Sequence, residues 1–133
     1  MNSPFKIFND ERGELIPIEM SSVPINPERI FVVSNVPKDC IRGNHAHFKT
    51  RQFIICIKGK ILVGLDNGTK KEEKIITPGE SILIPEMVWD YQKFLTGEDI
   101  LLAVCDTQYD KRDYILDIEE FYKIIKKNDL NKI

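Results

Sequence analysis

Arg42-Gly43-Asn44-His45-Ala46-His47 holds both histidines of the 133-residue chain. In a strand, side chains at i and i+2 point to one face. A strand here therefore aims both imidazoles into one space. Two titratable rings side by side suit a metal site or acid/base chemistry on a bound molecule. In isolation, a His-x-His pair reads as readily as two surface histidines on a polar strand, so the flanking sequence has to choose.

On both sides of this stretch the chain alternates short strand-like runs with turn signals. Upstream, Arg29 to Ser34 is rich in β-formers, and Pro37-Lys38-Asp39 turns it toward the histidines. Downstream, Gln52 to Lys58 is nearly all apolar, the pattern of a strand buried on both faces. Gly59-Lys60 leads to Ile61–Leu65, and Asp66-Asn67-Gly68 is a hairpin turn. The charged run Lys70–Lys74 reads as a solvated edge. Ser81–Ile84, Trp89–Phe94 and Ile100–Cys105 continue the series between Pro- and Gly-containing turns. Before the histidines, Phe5, Ile7 and Phe8 precede a turn at 9–13, and Glu14–Glu19 reads as an edge strand containing Pro17. Only the end changes period. Ile118, Phe121, Tyr122 and Ile125 have helical spacing, with Asp117 as N-cap, and predict a helix over 116–127 that frays from Lys126. The whole predicts one domain over 1–133: an all-β double-stranded β-helix, a cupin jelly roll (RmlC-like), with the C-terminal α-helix packed outside.

A net charge of −2 gives no electrostatic case for nucleic acid or for an anionic membrane. Met1–Gly13 has no apolar segment of the secretory kind, and the apolar runs are too short to span a bilayer. Three widely spaced cysteines (Cys40, Cys56, Cys105) give neither a zinc spacing nor a disulfide framework. A reducing cytoplasm is the expected compartment.

The histidine stretch resembles the first cupin motif, but the motif's carboxylate position falls on Gln52. The second motif resembles Pro78-Gly79 through Pro85, yet where a third histidine would follow, the chain reads Val88-Trp89-Asp90. Two histidines and an amide are a poor metal set. Asp90 could complete a two-histidine, one-carboxylate site, which keeps that alternative open. The favoured expectation is no metal and no cofactor, with the histidines as base and acid. Arg42 has the wrong parity to join them and reaches the same space only if Gly43 permits a bulge. A cation, two titratable rings and an aromatic wall of Trp89 and Tyr91 suit proton transfer beside a carbonyl on a phosphorylated or carboxylated substrate. Gln52 shares the interior parity of Ile54 and Cys56. Trp89 reads equally as a stacking surface or as a core aromatic.

Several segments in order resemble the sugar 3,4-ketoisomerases: Arg42 to His47; Asp10-x-Arg12-Gly13-x-Leu15 with Ile18-Glu19; Gln52–Cys56; Leu65–Gly68; Pro85-x-Met87-Val88-Trp89; and Tyr109-Asp110-x-x-Asp113-Tyr114-Ile115-x-Asp117. The resemblance implies a homodimeric jelly roll that needs no metal and acts on the thymidine-diphosphate sugar dTDP-4-keto-6-deoxyglucose. It implies His45 and His47 as the catalytic pair, with His47 assigned to proton transfer at carbon and His45 as its polar partner. Arg42, Gln52, Trp89 and Tyr91 are the expected substrate contacts, while Arg12 and Glu19 read either as reaching across the dimer to the site or as exposed surface residues. Two departures stand out. Phe31 and Val32 replace tyrosines common in relatives, and Asp90 replaces a histidine. The competing readings are a C3 and/or C5 epimerase of dTDP-4-keto sugars, with Tyr91 as its second acid, and a non-catalytic sugar-binding cupin.

Overall fold

The structure, a computed structural model, describes residues 5–131. Strands β1 (Phe8–Asp10) and β2 (Gly13–Leu15) form a hairpin ahead of the main body. The expected strand to Glu19 stops at Leu15, because Pro17 has no N–H to extend the ladder. Two sheets follow. The first orders β3 (Arg29–Val33), β10 (Ile100–Cys105), β5 (Gln52–Lys58) and β8 (Ser81–Ile84) as β3-β10-β5-β8. The second is β11-β4-β9-β6-β7, built from β4 (Ile41–His47), β6 (Ile61–Asp66), β7 (Lys71–Ile76), β9 (Trp89–Phe94) and β11 (Tyr114–Ile115). Neighbouring strands pair antiparallel.

The core lies between the sheets. Ile54, Cys56, Leu101 and Ala103 of the first meet Ile61, Val63, Ile76 and Phe94 of the second. Strand β5 is buried on both faces as its apolar run predicts: Phe53 and Ile55 turn the other way and pack with Val23, Ile25 and Val104. The Asp66–Gly68 hairpin also forms, with Gly68 at φ +98° and its N–H donating to Asp66 Oδ1 at 2.9 Å.

Helix α1 spans Ile118–Asn131 rather than 116–127. It starts later because Asp117 is the cap: its side chain accepts from the Glu119 N–H at 3.0 Å and its carbonyl accepts the Phe121 N–H at 3.0 Å. It runs on to Asn131 because 126–131 contains neither Pro nor Gly; residues 132–133 of the segment expected to fray lie outside the described part. The helix buries Phe121 against Trp89, Ala46 and Ile115, on the outer side of the histidine strand.

Candidate functional site

The bulge that Arg42 requires is present. Register along β4 and β9 runs Arg42↔Gln92 and Gly43↔Tyr91, then shifts so that His45 faces Asp90. Gly43 and Asn44 both take the left-handed conformation, at φ +88° and +55°. A Cβ on Gly43 would meet Gln92 Oε1 at 3.0 Å, the Tyr91 Cα at 3.1 Å and the Asp90 carbonyl at 3.2 Å, so glycine is the residue that fits. The extra residue inverts the parity of the strand upstream and brings Arg42 onto the same wall as His45.

That wall belongs to a cavity of about 540 Å³. Arg42, His45 and Gln92 line it from the second sheet, and Arg29, Phe31 and Gln52 from the first. Tyr109 and Tyr114 close it from the segment after β10. The two histidine rings are 4.8 Å apart, edge to face. Tyr114, the cross-strand partner of His47, packs against both, with centroids 4.5 Å from His47 and 5.3 Å from His45. His45 is the ring that lines the cavity, its side chain 19% exposed. His47 stands behind it at 2%, and its buried Nε2 has no hydrogen-bond partner among the described residues. Of the two rings, His45 is the one with access to the cavity.

The electrostatics keep the pair neutral. Burial, then the neighbouring His47, pushes His45 down to about 4. Burial also lowers His47, with Asp113 pulling it back up and Arg29 pushing it further down. Asp90 lies 3.8 Å from His45 Nε2, too far for a hydrogen bond. Its Oδ1 accepts from Gln92 Nε2 at 2.7 Å, while the buried Oδ2 has no partner. Burial raises Asp90 to about 7, against the opposing Gln92 hydrogen bond.

Asp113 ties down the turn that follows the histidines. It accepts from the Lys49 N–H at 2.8 Å, the Thr50 N–H at 3.3 Å and the Thr50 hydroxyl.

Of the expected site residues, His45, Arg42 and Gln52 line the cavity, with His47 behind. Trp89 and Tyr91 do not. Residues of β9 alternate, Asp90 and Gln92 face inward, and the two aromatics therefore face out. Trp89 packs on Phe121 at 5.9 Å beneath α1, and Tyr91 covers Gly64 and hydrogen-bonds Glu73. Arg12 lies away from the cavity and pairs with Asp10 in the β1–β2 hairpin. The sequence reading missed Arg29, Gln92, Tyr109 and a pocket position for Tyr114. For Arg29 there was a signal, a cation opening an apolar strand. Its Nε is buried without a partner and its guanidinium lies over Tyr109.

Fold and site together define a cupin-like jelly roll with two adjacent histidines beside a cavity that also holds two arginines. The chain belongs to the FdtA family, described as WxcM-like, C-terminal, which it matches over residues 2–126. It is 29% identical over 130 residues to a TDP-4-oxo-6-deoxy-alpha-D-glucose-3,4-oxoisomerase of Aneurinibacillus thermoaerophilus, covering 96% of this chain and 94% of that one. Among solved structures it resembles the sugar 3,4-ketoisomerase QdtA of Thermoanaerobacterium thermosaccharolyticum in complex with TDP (TM-score 0.83, 29% identity, 94% and 93% of the two chains). A 3,4-ketoisomerase of Helicobacter canadensis superposes at 0.82 with 26% identity, over 92% and 94% of the chains. A 3'-monoepimerase of Streptomyces bikiniensis, at 14% identity and TM-score 0.73, shares the fold alone.

Proposed function

We propose that this chain is a nucleotide-sugar 3,4-ketoisomerase that converts dTDP-4-keto-6-deoxyglucose to the 3-keto isomer. The observation that carries the reading is a neutral imidazole, His45, on the wall of a cavity that also holds two arginines. The 4-keto group acidifies the C3 proton. His45 takes that proton as the C4 carbonyl oxygen takes one from the Tyr114 phenol, giving an enediol. Return of the His45 proton to C4 and loss of the O3 proton to the Tyr114 phenolate leave the ketone at C3. Tyr114, packed on both rings, offers a phenol where Phe31 and Val32 supply none from β3. Arg42 and Arg29 suit a diphosphate through their planar forks.

The epimerase reading loses its candidate second acid, since Tyr91 lies outside the cavity. The product suits later transamination to an amino sugar of surface polysaccharide, made in the cytoplasm. The active form in this proposal is a homodimer, for which the apolar edge strand β3 supplies a surface: Ile30 and Val32 are 54% and 59% exposed.

Incubation of chelator-treated protein with dTDP-4-keto-6-deoxyglucose in deuterated water, followed by proton NMR, tests the reaction. A 3-keto product carrying deuterium at C4 is expected. Deuterium at C3 or C5 with the ketone still at C4 would replace this reading with epimerisation, and no exchange at all would leave a binding protein.

A further inference from the structure

Three ligand-type side chains of the site lie on two adjacent strands and converge. His45, His47 and Asp90 each offer one donor atom, and these atoms lie within 4.8 Å of one another. Two of the three residues carry a buried atom with nothing to bond: His47 Nε2 and Asp90 Oδ2. Orphaned buried donors are costly, and their presence on facing side chains needs a reason. Asp90 Oδ1, the oxygen 3.8 Å from His45 Nε2, is held by Gln92 Nε2 at 2.7 Å, the kind of support that fixes a metal-binding carboxylate. His45 opens onto the cavity, so an ion held here would keep free positions facing it.

We propose that His45, His47 and Asp90 form a site for a first-row divalent transition metal. Two imidazoles and one carboxylate are a donor set that such ions take with positions left open. Metal–imidazole bonds near 2.1 Å place donors on one ion roughly 3 to 3.5 Å apart, so closing the set requires side-chain shifts of about 1 Å. The carboxylate is what the sequence expectation left out of its favoured reading, and the structure aims it at the histidines. The lone pairs that would hold the metal are those that would accept the substrate proton. Metal occupancy and the proposed proton transfer therefore exclude each other, and the ion acts as an inhibitor.

Cobalt(II) alone, added to the chelator-treated full-length chain without nucleotide sugar, tests the site. Four- or five-coordinate Co2+ absorbs visible light far more strongly than the free aquo ion. The expected result is a spectrum that saturates at one ion per chain, with Asp90→Asn weakening binding by about tenfold or more. A spectrum that stays that of free Co2+, or an Asp90→Asn protein that binds as tightly as the parent, overturns the proposal. Should Asp90→Asn fail to fold, imidazole nitrogen NMR of the unaltered protein decides. Added Zn2+ moves both rings if the site exists, and unmoved rings overturn it. Turnover measured across the same Co2+ titration falls as the site fills; a rise overturns the inhibitory role. Because binding is read without substrate, failure of the metal site leaves the isomerase reading standing, and the reverse holds too.

Discussion

The Arg29 guanidinium lies 5.5 Å from the centre of the Tyr109 ring, at the wall of the cavity, with its Nε buried and unpaired. In the proposed function the stacked cation meets the diphosphate, and its charge also pushes His47 down. Arg29→Gln is expected to act twice. TDP affinity falls by about tenfold or more with the loss of a charge-assisted contact. The His47 resonance, followed by NMR, titrates at a higher pH than in the parent. An unchanged His47 titration would mean that the arginine is too well screened to matter to the ring.

The bulge predicts a separable defect. Gly43→Ala puts an alanine at φ +88° and forces it against Gln92 and the β9 backbone. The cost is about 1–3 kcal/mol in chemical denaturation. Relieving it by straightening the strand turns Arg42 out of the cavity. The variant's KM for the nucleotide sugar should then rise more than its kcat falls, since the histidines lie beyond the bulge.

Asp113 offers a test of the turn behind the site. Asp113→Asn removes the charge that pulls His47 upward, so His47 should titrate still lower. The variant also keeps only part of the hydrogen bonding to Lys49 and Thr50, at a cost of about 1–3 kcal/mol. Measuring both in one protein separates the charge from the scaffold.

How much of this was open to reading from the residues depends on whether the signal was local. The strands from β3 to β10, the hairpin at Asp66–Gly68 and the two-sided burial of Gln52–Lys58 rest on short patterns, and they lie close to where the pattern puts them, whereas the N-terminal hairpin does not. The bulge was legible too, because Arg42 and His45 have opposite parity and a glycine sits between them. Strand β9 was not. Trp89-Asp90-Tyr91-Gln92 offers aromatics on one face and polar groups on the other, and hydrophobicity alone argues for the wrong face inward. The carboxylate faces the interior beside the two histidines, a polar surrounding that no hydrophobic pattern announces. Tyr114 was missed for another reason. Its meeting with the histidines depends on β11 pairing with β4, a contact with no local pattern to announce it.

Away from the site, Asp99 predicts an acid-dependent contribution. Burial opposes its ionisation, but hydrogen bonds from the N–H groups of Lys60 (2.8 Å), Thr96 (3.0 Å) and Gly97 (3.1 Å) and from the Thr96 hydroxyl (2.7 Å) outweigh it and hold the carboxyl below 3.8. A depressed folded-state pKa gives stability that is present above the unfolded value and lost as pH falls through the folded one. Asp99→Asn should therefore be less stable than the parent at neutral pH, and the gap should narrow below 3.8. A gap independent of pH would assign the effect to shape rather than charge.

The thiols give a simple readout of packing. Burial pushes Cys56 up to about 12 and raises Cys105, whereas Cys40 is exposed. A disulfide reagent at mildly alkaline pH should label one thiol quickly and all three only on unfolding. Cys40→Ser should abolish the fast phase.

Ala46 sits between the two histidines in sequence and points the other way, fully buried against Trp89, Ile115 and Phe121. The reverse side of the histidine strand is thus the seat of a helix that contributes nothing to the cavity. A chain cut after Leu116 would retain every side chain that lines the pocket and lose the clamp that keeps the imidazoles in register. The histidines in the middle of the polypeptide thus lean on a helix near its end, so a newly made chain is expected to complete the backing of its pocket among the last segments to leave the ribosome.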